Sequence, residues 1–205
     1  MNDQIKYGLL GAVIGGIAVW FFMTTIVNSN NGGMMNSTSN SQSGGAMMGN
    51  IDQHFIEQMI PHHEDAISMS KVAQTKAQKP EVKQLAKNII ESQGKEITQM
   101  KSWYKEWFKK EVPAVTQGMM GKNNGMHGGM MGDSSDMTKL EGAADFDKAF
   151  AEEMITHHQM ALMMTNMLKG NTNRPEMQKL ADEIITTQTQ EIELMRGWLK
   201  EWGNE

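Results

Sequence analysis

The sequence predicts an all-α protein, a four-helix bundle assembled from two duplicated helical hairpins and preceded by an N-terminal transmembrane helix. Three observations carry this reading. A charge-free apolar run extends from Tyr7 to Val27, and residues 51–107 recur at 146–202 with a constant offset of 95. Within each copy, apolar residues step by three and four along the chain. A length of 205 residues accommodates one bundle domain of about 150 residues with appendages.

The elements follow in order. Residues 1–6 form a short cytoplasmic N-terminus. Tyr7 to Val27 has 21 residues and no charge, which at about 1.5 Å per residue spans roughly 31 Å, the thickness of a bilayer core. Trp20, Phe21 and Phe22 suit its interfacial end. A cleaved signal peptide competes with an uncleaved anchor, but Met23-Thr24-Thr25-Ile26-Val27 supplies no small-residue cleavage pattern, which favours the anchor. Lys6 before the span and the absence of charge after it until Asp52 orient residues 28 onward outside the cytoplasm. Residues 28–50, rich in Asn, Ser and Gly, are expected to be a flexible tether.

The first hairpin is expected over 51–111 and the second over 143–205, separated by a Met/Gly-rich loop at 112–142. The copies share 23 of 57 aligned positions, MIPHH at 59–63 matching MITHH at 154–158. Ile51, Phe55, Met59, His62, Ala66, Met69 and Ala73 form one helical stripe, answered by Phe146, Phe150, Met154, His157, Ala161, Met164 and Leu168. The second helix of the first copy carries Leu85, Ile89, Gln93, Glu96, Met100, Trp103 and Trp107. Pro80 and Pro175 suit the first turn of a helix, and Gly170 suits the end of the one before.

Composition narrows the chemistry. The chain has 22 methionines, against roughly four to six for an ordinary protein of this size. It has no cysteine, which excludes disulfides, thiolate metal sites and cysteine nucleophiles and agrees with an oxidising compartment. A net charge of −5 without a long basic run leaves no footprint for nucleic acid. There is no Ser/His/Asp triad and no phosphate-cradling glycine loop.

The stripes place His62, His157, Gln93, Gln188, Glu96 and Glu191 where a bland bundle would place apolar residues. One reading makes them registry devices, with His and Glu from opposite hairpins hydrogen-bonded across the pseudo-twofold axis. The other makes them part of a metal site. Met59 lies three residues before His62 and four before His63, and Met154, His157 and His158 repeat the spacing, so each trio shares a helix face. Thioether and imidazole together suit Cu(I) or Ag(I) better than hard ions. Core filling competes for any single methionine, Met100 and Met195 included. Met160, Met163 and Met167 replace Asp65, Ser68 and Val72, so the second copy's first helix is softer. Pro61 removes an N–H inside its helix, whereas Thr156 at the equivalent place does not. In the linkers, Met34, Met35, Met47, Met48, Met119, Met120, Met126, Met130 and Met131, with His127, have no core to fill. Compositional drift or capture of a soft cation would account for them.

These residues resemble the domain-of-unknown-function family 305, whose pattern is a Met-Ile-x-His-His helix followed by Leu-Ala-x-x-Ile, Gln-x-x-Glu-Ile and Met-x-x-Trp on the next. The resemblance covers both copies, and the leader MNDQIKYGLLGAVIGG with its Met-rich tail looks like that of a cyanobacterial copper-binding member. It implies a ferritin-like four-helix bundle, periplasmic or extracellular placement and copper binding in copper resistance. The ligands it implies are Met59, His62, His63, Met69, Met100, Met154, His157, His158, Met164 and Met195. The expected role is therefore a non-enzymatic one, sequestering or transferring Cu(I), with Cu(II) also held and Ag(I) as a surrogate. The partners to expect are metal ions, the membrane through residues 7–27, and a copper exporter or copper sensor, with no nucleic acid among them. The alternatives are a di-metal carboxylate oxidase and a structural or adaptor bundle without metal.

Overall fold

Two X-Pro steps start the second helix of each hairpin in the same way. Lys79 and Arg174 are held extended (φ −81°, ψ 127° and φ −88°, ψ 120°), because the following proline ring disfavours the helical region for the residue before it. Proline itself then occupies the first helical position, where no N–H is needed. The computed structural model describes residues 51–114 and 134–203. The described helices are α1 (Ile51–Lys76), α2 (Pro80–Phe108), α3 (Ser134–Glu141), α4 (Phe146–Asn171) and α5 (Pro175–Trp202). The four long ones have 26, 29, 26 and 28 residues. The expected membrane span at 7–27 and the tether at 28–50 lie outside the described residues, and among the described residues no helix is long and apolar enough to cross a membrane.

Three details differ from the sequence expectation. Gly170 does not end α4. The helix continues to Asn171, Thr172 turns extended, and its N–H bonds the Leu168 carbonyl at 2.8 Å. The Gln178 side chain then donates to the carbonyls of Lys169 and Thr172, satisfying groups that a glycine cap would otherwise have served. The loop expected at 112–142 contains the eight-residue α3, held by burial of Leu140 and by Lys76 Nζ donating to the Glu141 carbonyl at 2.8 Å. In α2 the buried stripe steps from Gln93 to Ile97, Met100 and Tyr104, leaving Glu96, Trp103 and Trp107 half-buried. Its counterpart α5 keeps Glu191, Met195 and Trp198 buried.

α1 packs on α2, α4 on α5, and α1 on α4. At the bundle ends the hairpins clasp each other in a repeated motif. Asp147 in the first turn of α4 accepts the N–H groups of Gln78 and Lys79 at 3.0 and 3.3 Å, and its counterpart Asp52 accepts Arg174 Nε at 3.1 Å. Lys79 lies 4.8 Å from the Trp202 ring and Arg174 lies 4.2 Å from the Trp107 ring. Each such cation–aromatic contact contributes about 0.5–1 kcal/mol at a partly exposed site.

The core is divided in two. One apolar cluster joins the C-terminal half of α1, the N-terminal halves of α2 and α4, Leu140 and the C-terminal half of α5. The other joins the opposite halves. Between them along every long helix lies a polar level, His62-His63, Gln93 with Glu96, His157-His158, and Gln188 with Glu191.

Candidate metal centre

Consecutive helical residues point about 100° apart, so a His-His doublet can serve two different neighbours. His62 and His157 reach across to each other, ring centroids 3.7 Å apart and planes tilted by 39°. His63 and His158 turn to the second helix of their own hairpin. Their Nε2 atoms lie 2.6 Å from Glu96 Oε2 and 2.7 Å from Glu191 Oε2. The expected His–Glu bonds across the axis therefore do not form. They form within each hairpin, through the second histidine of each doublet, and imidazoles alone meet at the axis.

Both ring nitrogens of His62 and His157 are buried without a hydrogen-bond partner, as is Nδ1 of His63 and of His158. Buried imidazole nitrogens without partners are costly, so this level keeps free lone pairs away from water. Burial, reinforced by neighbouring His63 and His158, drives the proton affinity of His62 down to a pKa of about 3. Burial and the facing His62 hold His157 well below its ordinary range. Both rings are thus neutral near pH 7, the form that coordinates metal. With Nε2–H donated to a carboxylate, the Nδ1 lone pair of His63 or His158 is left free, the carboxylate–histidine arrangement that orients metal-binding imidazoles.

The methionines divide by the same symmetry. Met59 and Met100 are fully buried in one apolar cluster, with Met164 of the other hairpin packed against it. Met154 and Met195 are fully buried in the second cluster together with Met69. Of the candidate methionines, each side of the polar level thus has two from one hairpin and one from its partner. Met177, where the first copy has Val82, is also fully buried in the cluster with Met59. Of the ten interior candidates, the structure gathers the four histidines at the polar level and sorts the six methionines into these two groups. Met119, Met120, Met126, His127, Met130 and Met131 lie outside the described residues, as do the linker methionines of 28–50.

The candidate ligands did not include Glu96, Glu191, Gln93, Gln188 and Met177. The carboxylates had a signal, since each follows its histidine by 33 residues in both copies. Gln93 and Gln188 occupied stripe positions, and both are buried with side-chain atoms that lack partners. Met177 had none beyond replacing an apolar residue.

Residues 52–204 match the family described as Domain of unknown function (DUF305), and the chain belongs to it. Among solved structures it is similar to CopM in the Cu(II)-bound form, at 52% identity and a TM-score of 0.66 over 74% of this chain and 97% of that one. CopM has also been solved in Cu(I)-bound and Ag-bound forms, at 47% and 46% identity with TM-scores of 0.63 and 0.62. A DUF305 fragment from Deinococcus radiodurans is 26% identical with a TM-score of 0.61, over 74% of this chain and 96% of that one. A curated relative, uncharacterized protein L153 of Acanthamoeba polyphaga mimivirus, is 47% identical over 51 residues, 25% of this chain and 34% of the relative's own length. The chain thus spans about a third of that relative. The similarity to CopM supports metal binding at the level of the family.

Proposed function

We propose that this protein is a copper-binding protein that holds Cu(I) in the bundle interior, with Ag(I) as a surrogate and Cu(II) as a second cargo. It sequesters or transfers the ion outside the cytoplasm and so contributes to copper resistance. The observation that carries the reading is the pair of facing, neutral, unpartnered imidazoles of His62 and His157 between two apolar clusters that each contain three of the candidate methionines. Neutral soft donors in a dry interior favour a monovalent ion, which brings less charge to desolvate than a divalent one. Among the described residues no three His, Asp or Glu side chains are grouped to hold an ion by themselves, so methionine sulfur completes the shell. The proposed ligands are Met59, His62, His63, Met69 and Met100 with Met154, His157, His158, Met164 and Met195. The 119–131 methionines and His127 add capacity on the strength of their composition.

The role is non-enzymatic in this reading. Glu96 and Glu191 orient imidazoles rather than bridge two ions as a carboxylate oxidase would require. Tethering by residues 7–27 and exchange with a copper exporter or sensor belong to the same proposal, supported by the charge-free span and the absence of cysteine. Titration of the full chain with Cu(I) against a competing chelator tests it. We expect tight uptake that falls when Met59, His62, Met154 and His157 are together changed to Ala. Negligible uptake, or uptake unchanged in that variant, would refute it.

A further inference from the structure

The second hairpin carries methionines that neither the core nor the interior site uses. Among the described residues, the exposed large apolar side chains are Met163, 45% exposed, and Met167, 59% exposed, both on α4. Met160 and Met164 beside them are half-buried. Burial accounts for none of the exposure, since an aliphatic side chain left in water gains nothing from the hydrophobic effect.

Their order along the helix has a direction. From Met167 the steps to Met163, Met160 and His157 are four, three and three residues, so each is the next neighbour on one face. Exposure falls along the same path until both ring nitrogens of His157 are shut off from water. Side chains so spaced have Cβ atoms about 5–6 Å apart, and methionine's three rotatable bonds let neighbouring sulfurs close on one ion. In α1 the equivalent positions are Asp65, Ser68 and Val72. Asp65 and Ser68 are exposed, and the Ser68 hydroxyl is spent on the Glu64 carbonyl. No thioether path leads to His62 on that side.

We propose that the Met167–Met163–Met160 face of α4 is a separate, surface-open binding site for a soft monovalent cation, and that it is the loading route to His157. The ion moves inward by ligand exchange, each thioether replacing the one behind it, with no change of oxidation state and no proton released from sulfur. Loading is one-sided. The first hairpin holds half of the interior ligands and takes no part in entry. This rests on the proposed interior site.

The test uses the full chain under anaerobic conditions and a coloured Cu(I) chelate as donor, following loss of its absorbance. The interior fraction is the amplitude that H62L/H157L removes. In M160L/M163L/M167L, leucine keeps helix propensity and apolar bulk, and the melting midpoint reports whether the bundle is intact. We expect the interior fraction to load about tenfold or more slowly, because the locally concentrated ion is lost, while its final amplitude is retained. The converse variant D65M/S68M/V72M builds a second route and should raise the rate about twofold by doubling the entrances. Loading of M160L/M163L/M167L at the parental rate overturns the entry route while leaving the interior site standing. An amplitude that H62L/H157L does not change overturns the interior site and this route with it.

Discussion

In the first hairpin the histidine facing its own second helix bonds a carboxylate whose side chain is 16% exposed, and in the second hairpin the equivalent carboxylate is 5% exposed. The first hairpin's outer face on α1 is Asp65, Ser68 and Val72, and the second's on α4 is Met160, Met163 and Met167. Yet the middle of the two is the same, the His doublet, the Gln and Glu four helical turns from the proline start, and methionines at matching places. The comparison separates two kinds of position. Interior residues at the polar level are duplicated together with the helices that hold them. Positions facing water have diverged, and that divergence makes one hairpin softer than the other.

The strongest way to break this comparison is to remove what the hairpins share. H62L/H157L takes away the two facing imidazoles and should weaken Cu(I) retention by more than the roughly 100-fold that loss of an outer hydrogen-bonding partner costs. The same change removes four buried nitrogens without partners, so the metal-free bundle should become about 1–2 kcal/mol more stable in urea unfolding. A metal-free variant less stable than its parent would show that these rings have a structural use.

Acid should separate the shared middle from the rest. The folded-state pKa of His62, about 3, lies below the ordinary 6.5, and that of His157 is lowered too. Between those values the unfolded chain binds protons that the folded chain excludes. Stability is therefore highest above pH 6.5 and falls as pH drops toward 3. Urea midpoints of the metal-free protein at pH 7 and pH 4.5 should differ accordingly, and H62L/H157L should flatten the dependence. Equal slopes in parent and variant would contradict the assignment.

Much of this was legible in the residues. The offset of 95 and the three–four stepping located both hairpins, and polar residues in the stripes marked the level of the site. The orientation of each doublet was not legible. His62 and His63 are neighbours on one helix, and only the packing partners decide which faces the other hairpin. The registry of α2 past Gln93 is not legible, because Trp103 and Trp107 look more apolar than Tyr104, although Tyr104 is the one fully buried. α3 was hidden because glycine and methionine dominate its segment, while its only inward residues described are Leu140 and the half-buried Met137.

The two carboxylates sharpen the comparison at smaller scale. E191Q should lower Cu(I) affinity by about 10–100-fold, since the bond to His158 is fully buried. E96Q should do so less, because water can partly replace the more exposed partner of His63. Equal losses in chelator competition would argue that exposure does not matter at this level. The end clasps should differ least. D147A frees two backbone N–H groups and should cost about 1–2 kcal/mol, as loss of a helix cap does. D52A removes a single bond to Arg174 from a carboxylate whose other oxygen already lacks a partner, and should cost under about 1 kcal/mol. Thermal unfolding of the two variants side by side decides the order.

X-ray absorption at the copper edge of the full chain loaded with Cu(I) measures the central claim directly, because it counts the neighbours of the ion by element. The expected first shell contains methionine sulfur at about 2.3 Å, the distance typical of metal–sulfur bonds, together with imidazole nitrogen, and H62L/H157L lowers the nitrogen count while His63 and His158 remain. A shell of nitrogen and oxygen without sulfur would contradict the account.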